Sequence, residues 1–319
     1  MMENTGLSRR RFLAKAAGSI ASGGVVRHAA IAAEPPSWRL DYVLASALYG
    51  YAPLEQILPE VKKTGAKHID IWPKVHGNQR EQIEAMGHDH FAELLAIHGV
   101  KLGGIACYTL GPFGLRDEMH FARRIAGPGV VLVCGARGPK GLAGAELKQA
   151  VGAFAEAMKP HAAVAEETGC LIAVENHANS LIESPDSIRW FGEMARSDWL
   201  GVALAPHHLR QDAGLIAGIA ADLGPKVKFF YAQQHGKGST QKLPKEDELL
   251  QMPGRGPLDF GTILAALRRS DYRGLTEIFM HPVPRGIPIL EPPAAVTAEI
   301  NRARRYLNDI ARLHTRTKT

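Results

Sequence analysis

The sequence predicts a single-domain α/β fold, a (β/α)8 TIM barrel. Three observations lead there. Eight short, uniformly apolar runs recur along the chain, segments of helical period separate them, and about 285 residues follow the N-terminal leader, the length of eight such units. Apolar strands with helices between them imply a parallel sheet covered by helices. No GxGxxG follows the first strand, so a dinucleotide-binding sheet is disfavoured.

The strand runs, in order, are 40–47, 67–72, 100–108, 129–135, 170–176, 200–205, 227–234 and 274–280. Between them, 54–65 shows an apolar 3.6-residue period and a glycine stop. Segment 144–169 reads as a long helix kinked at Pro160, 184–195 opens with a serine cap and a proline in its first turn, and 292–313 is the last helix. The polar stretch 235–257 after the seventh strand is long for a compact domain, which suggests a lid or binding loop. No composition break marks a second domain, so 34–319 is read as the barrel.

Residues 1–33 read as an export leader. Ser8–Gly18, "SRRRFLAKAAG", resembles the twin-arginine export signal, the Gly/Ala-rich run after it is too short to remain as a bilayer anchor, and small residues at Ala30–Ala33 offer a cleavage site. The expected destination is periplasmic or otherwise extracytoplasmic, with no membrane anchor in the mature protein. The formal charge of +6 is mostly this leader's, whose five basic residues and one acid net +4 and leave +2 for the rest. A nucleic-acid partner is therefore not implied. Cys107, Cys134 and Cys170 lie in or beside apolar runs and read as free core thiols.

A barrel collects its chemistry at the C-terminal ends of its strands. Those ends carry Trp72 and His76, Tyr108, then Glu175 with His177, His207 with His208, Gln233 with His235, and Glu277 with His281. Glu175 ends an apolar strand, where a carboxylate needs a cation or a proton. Two glutamates and two or three histidines suit one divalent cation, manganese or zinc.

The stretches "AVENHANS" (173–180) and "PGRGPLDFGTILAALRRSDYRG" (253–274), with the eight-unit layout, resemble the xylose isomerase-like barrels of the sugar phosphate isomerase/epimerase family from about residue 40 to the end. The resemblance implies one divalent metal held by Glu, Asp, His and Glu on strands five to eight, the two glutamates shuttling a proton beside a carbonyl. Glu175 matches the first position. The Asp position is Ala205, with His208 matching the histidine that follows it. The His position falls near Tyr231 or Gln233, and the last Glu aligns with Phe279, two residues past Glu277.

The expected metal site is therefore a relocated one, of Glu175, His208, His235 and Glu277, with Glu175 and Glu277 catalytic. Trp72, His76, Tyr108, His177, His207 and Gln233 would contact substrate. The expected function is an exported isomerase or epimerase acting on a sugar or keto-sugar by metal-assisted proton abstraction. A keto-glycoside lyase or hydratase, and a non-catalytic carbohydrate-binding barrel, stand as alternatives; homo-oligomerisation is left open. A related barrel nuclease would need a multi-zinc cluster rich in acids, which these strand ends lack.

Overall fold

In a computed structural model, which describes residues 38–316, eight parallel strands close into one barrel in sequence order. They are β1 (Asp41–Ala45), β2 (His68–Ile71), β3 (Lys101–Ala106), β4 (Val131–Gly135), β5 (Leu171–Glu175), β6 (Leu200–Leu204), β7 (Val227–Ala232) and β8 (Leu275–Ile278). Each falls inside an expected run. The leader read at residues 1–33 lies outside the described residues. Among those described, no helix is long and apolar enough to cross a membrane.

Paired residues of parallel neighbours share a face, and the register carries one face around the ring. Asp70 pairs with Gly104, Gly104 with Val131, Val133 with Ala173, Glu175 with Ala203, Ala203 with Phe229, and Tyr231 with Glu277. This is the barrel interior, and most of it is apolar, as a packed barrel core must be. Asp70 and Glu277 are exceptions, fully buried on strands two apart. A side chain on β3 would collide with the first of them, since a Cβ at Gly104 would lie 2.6 Å from Asp70 Oδ1.

The helices follow their sequence signals. Pro185 begins Pro185–Met194, whose Ser184 cap accepts the Ser187 N–H at 3.2 Å. The segment 144–169 does more than kink: one helix ends at Ala157 and a second starts at Lys159, because Pro160 has no N–H to continue the first. Cys107, Cys134 and Cys170 are free and buried.

The long loop after β7 folds over the barrel mouth. Gln234 anchors its return, donating through Nε2 to Met252 O at 2.9 Å and accepting the Leu258 N–H at 2.9 Å. Gly256 must be glycine for this clasp, because a Cβ there would sit 2.5 Å from Gln234 Oε1. Buried Glu248 fastens the outer part, accepting from Lys242 at 3.0 Å and Lys245 at 2.6 Å.

Candidate active site

A cavity of about 1000 Å³ opens at the C-terminal end of the barrel, at the upper end of the usual range for ligand pockets. Trp72, His76, Tyr108, Glu175, His177, His207, His208 and His235 all line it. So do Tyr231, Phe279, His281 and Arg285, and the loop residues Lys237–Gln241.

Its centre is built on a turn. Where β6 ends, the Asn176 side chain pairs with the backbone of Ala205: Nδ2 donates to Ala205 O at 3.0 Å, and Ala205 N donates to Oδ1 at 2.8 Å. The 3-10 turn Pro206–His208 follows at once and turns both imidazoles into the cavity. Glu175, His207 and His208 each offer a ligand atom, all within 4.8 Å of one another. Glu175 Oε1 lies 3.8 Å from His208 Nε2. Both ring nitrogens of His207, and Nε2 of His208, are buried without a hydrogen-bond partner among the described residues.

Unpaired buried polar atoms are costly unless something completes them. Two imidazoles and one carboxylate, open to a cavity on one side, form the donor set of a catalytic zinc site or a related divalent centre. The donors are prepared for a cation. Burial, with neighbouring His177 and His235, pushes His208 down to about 3, and burial with the facing histidines holds His207 well below its ordinary value. Both rings are thus neutral and able to coordinate. Burial raises Glu175 to about 7, opposed by His177 and by the Tyr108 hydroxyl.

Compared with the expected ligand set, Glu175 and His208 stand in this trio, and His207, expected to contact substrate, stands with them. His235 is exposed at the cavity edge, its Nδ1 3.4 Å from His207 O and its backbone N–H held by Gln211 at 2.8 Å. Glu277 is not part of the cavity wall. It faces Asp70 inside the barrel, one layer below, where burial and the Asp70 carboxyl hold it protonated.

Among the expected substrate contacts, Trp72 stacks on Phe279 at 4.7 Å, so its ring packs against protein while its edge reaches the cavity. Tyr108 shares a hydrogen bond with Tyr231 at 3.0 Å between hydroxyls. The His177 Nδ1 lies 2.7 Å from Ala178 O and donates to it, which leaves Nε2 as the nitrogen free to meet a ligand. His76 packs against His281 at 4.9 Å. Gln233 does not line the cavity: it is buried, and Nε2 donates to Gln251 Oε1 at 2.9 Å.

Residues outside the expected site also gather here. His281 was visible at a strand end. No local pattern marks Arg285 or Tyr231. At three of the four positions of the implied ligand set stand Ala205, Tyr231 or Gln233, and Phe279, none of them an acid or a histidine.

Comparisons with known proteins agree on the architecture. None of the curated proteins matches the chain. Among solved structures, a zinc-bound IolI protein superposes with a TM-score of 0.64 at 16% identity, covering 85% of this chain and 98% of its own. A D-tagatose 3-epimerase-like protein gives 0.62 at 16% identity over 86% and 100%, and the 3-keto-D-glucoside 4-epimerase YcjR from E. coli 0.60 at 14% over 84% and 100%. At these identities the likeness is one of fold. The family profile described as "Xylose isomerase-like TIM barrel" matches residues 58–306, and with the closed eight-stranded barrel this places the chain in the xylose isomerase-like TIM barrel family.

Proposed function

We propose that the chain is a sugar isomerase or epimerase that moves a proton at a carbon beside a carbonyl, with one divalent cation held by Glu175, His207 and His208. One observation carries the reading: a buried carboxyl, the buried His207 imidazole and the half-buried His208 imidazole converge at the mouth of a barrel with nitrogens unpaired among the described residues. The sugar-processing neighbours of the same fold, which include epimerases and a dehydratase, support it. A divalent cation held there by Glu175, His207 and His208 would supply a Lewis acid for a substrate carbonyl.

The chain's own residues supply the rest. His177, turned by its Nδ1 contact with Ala178 O so that Nε2 is the nitrogen left for the cavity, accepts the proton from carbon. The Tyr231 hydroxyl, oriented by Tyr108, donates to a substrate oxygen. His76 and His281, kept neutral by burial and by the charge of Arg285, hydrogen-bond hydroxyls without adding charge. Asp70 and Glu277 stay buried in the layer beneath the cavity and take no part in the proton transfer.

The twin-arginine reading of the leader places this chemistry outside the cytoplasm, where free and oxidised sugars are at hand and phosphorylated metabolites are scarce. The same proton abstraction begins a β-elimination, so a keto-glycoside lyase needs no different site.

The test combines elemental analysis before and after chelator with solvent deuterium exchange into keto-sugars. Near-stoichiometric zinc or manganese and metal-dependent exchange at a carbon beside the carbonyl are expected. A second reading is favoured by Ala205 and Phe279, which occupy implied ligand positions, and by the strand-seven position, which falls on Tyr231 or Gln233 rather than a histidine. They suit a sugar-binding barrel without catalysis, and sugar binding that persists in chelator with no exchange into any keto-sugar would select it.

A further inference from the structure

The charge of the cavity wall is one-sided. Glu175 is the single acid among the residues lining it, whereas Lys140, Lys237 and Arg285 are basic. Lys237 is already paired with Asp247 at 2.8 Å, and Lys140 stands exposed at the rim. Arg285 differs from both. It is half-buried on the segment after β8, beside His76 and His281, whose protonation it opposes. Among the described residues no carboxylate pairs with it: the nearest influence, Glu248, is taken by Lys242 and Lys245. Its one hydrogen bond runs from Nη1 to Pro282 O at 2.6 Å. That bond fixes the plane of the guanidinium and leaves its other donors free.

An arginine partly withdrawn from water and lacking an anion is an unfinished ion pair. A guanidinium offers two parallel N–H donors, which match the two oxygens of a carboxylate. By topology, Arg285 and its neighbours flank β1, and in a ring of eight β1 stands across the barrel from β5, which carries Glu175. A substrate spanning the mouth would therefore present its reacting carbonyl at Glu175 and its anionic end at Arg285.

We infer that the substrate is a sugar acid whose carboxylate is held by Arg285. This rests on the sugar-isomerase reading above and narrows it from sugars in general to those carrying one carboxylate. A single guanidinium balances one negative charge, which favours a carboxylate over a phosphate dianion, and the two cavity lysines stay at the rim or in their own ion pair.

The test is calorimetric binding of matched pairs to the full chain: D-glucuronate against D-glucose and D-galacturonate against D-galactose, with glucose 6-phosphate alongside. At least one uronate is expected to bind tenfold or more tighter than its neutral parent, the magnitude of a charge-assisted bidentate pair. Arg285→Met should erase the ratio between each uronate and its neutral parent, and Arg285→Lys, which keeps the charge, should restore part of it. Melting curves verify that each variant is folded, and if Arg285→Met is not, Arg285→Lys and Arg285→Gln carry the comparison. Equal binding of uronates and parents, tighter binding of the sugar phosphate, or a preference that survives loss of Arg285 would each overturn the carboxylate assignment while leaving a sugar site in place. If neither acids nor neutral sugars bind, the sugar reading falls and this inference with it.

Discussion

Asn176 and Ala205 are joined edge to edge, the carboxamide of one exchanging two hydrogen bonds, of 3.0 and 2.8 Å, with the backbone of the other. The pair extends the sheet for one more step past β5 and β6 and sets where the turn bearing His207 and His208 begins. Asn176→Ala would leave the buried N–H of Ala205 without a partner and take one of two donors from its C=O, which keeps the His208 N–H at 3.3 Å, at a cost of about 1–3 kcal/mol. For a domain of this size that lowers Tm by roughly 5 °C. Zinc affinity should fall tenfold or more, since the two imidazoles lose their fixed approach. Calorimetry and zinc titration check both, and unchanged zinc affinity in the variant would detach the clasp from the site.

Glu175→Gln separates the cation's needs from the fold's. The amide removes the anionic ligand, so zinc per chain should drop from near one to near zero in the purified variant. The metal-free variant should melt no lower than the metal-free parent at pH 8, because a desolvated carboxylate has been replaced by a neutral group of the same shape. His207→Ala should lose zinc similarly, whereas His235→Ala, at an exposed edge position, should retain it. Elemental analysis of the four proteins decides between this trio and a set that includes His235.

The pH dependence of cation binding follows from the same three groups. Glu175 must lose its proton to bind, and its value stands at about 7. His208, at about 3, and His207, well below its ordinary value, are neutral throughout the working range. Zinc affinity should therefore be flat above pH 8 and fall about tenfold per unit of pH below 7, a slope of one proton. Titrations from pH 5 to 8 measure it, and a slope of two or three protons near pH 6 would mean that the histidines titrate at ordinary values.

Much of this was legible along the chain, because each strand is a short apolar run between helical periods and each signal is local. The excess at the end of the β3 run carries Tyr108 into the cavity, and the excess at the end of the β7 run is a buried amide pair that holds the loop. Tyr108 continues the apolar pattern past Ala106, and Gln233 and Gln234 follow Ala232 without a turn residue to end it. Glu175 and His208 were legible as polar groups ending apolar strands. His207 appeared as a neighbour of His208, but its share in the trio depends on a 3-10 turn clasped by Asn176, a contact across 29 positions. Asp70 facing Glu277 depends on closure of the ring between β2, β1 and β8, which no local period encodes.

That buried pair yields the last prediction. Asp70 and Glu277 are fully buried inside the barrel, and neither carboxyl has a hydrogen bond to a settled donor. Desolvation raises Asp70 to about 7, offset in part by the facing Glu277 carboxyl and the Trp72 indole, while Glu277 stays protonated. An acid whose value is higher folded than unfolded binds its proton more tightly in the native state, so raising the pH costs stability. The loss begins near pH 4, where the unfolded chain ionises, and is complete slightly above 7. Asp70→Asn removes that penalty while keeping the shape that Gly104 accommodates. At pH 4 the variant should melt close to the parent, and at pH 8 it should melt higher by roughly 10 °C, the equivalent of about 4 kcal/mol for a carboxyl moved from its ordinary value up to about 7. Parallel scans of both metal-free proteins across this range would show the gap opening between pH 4 and 8. A gap that is constant with pH would mean that Asp70 ionises at an ordinary value and that something else in the barrel carries its charge.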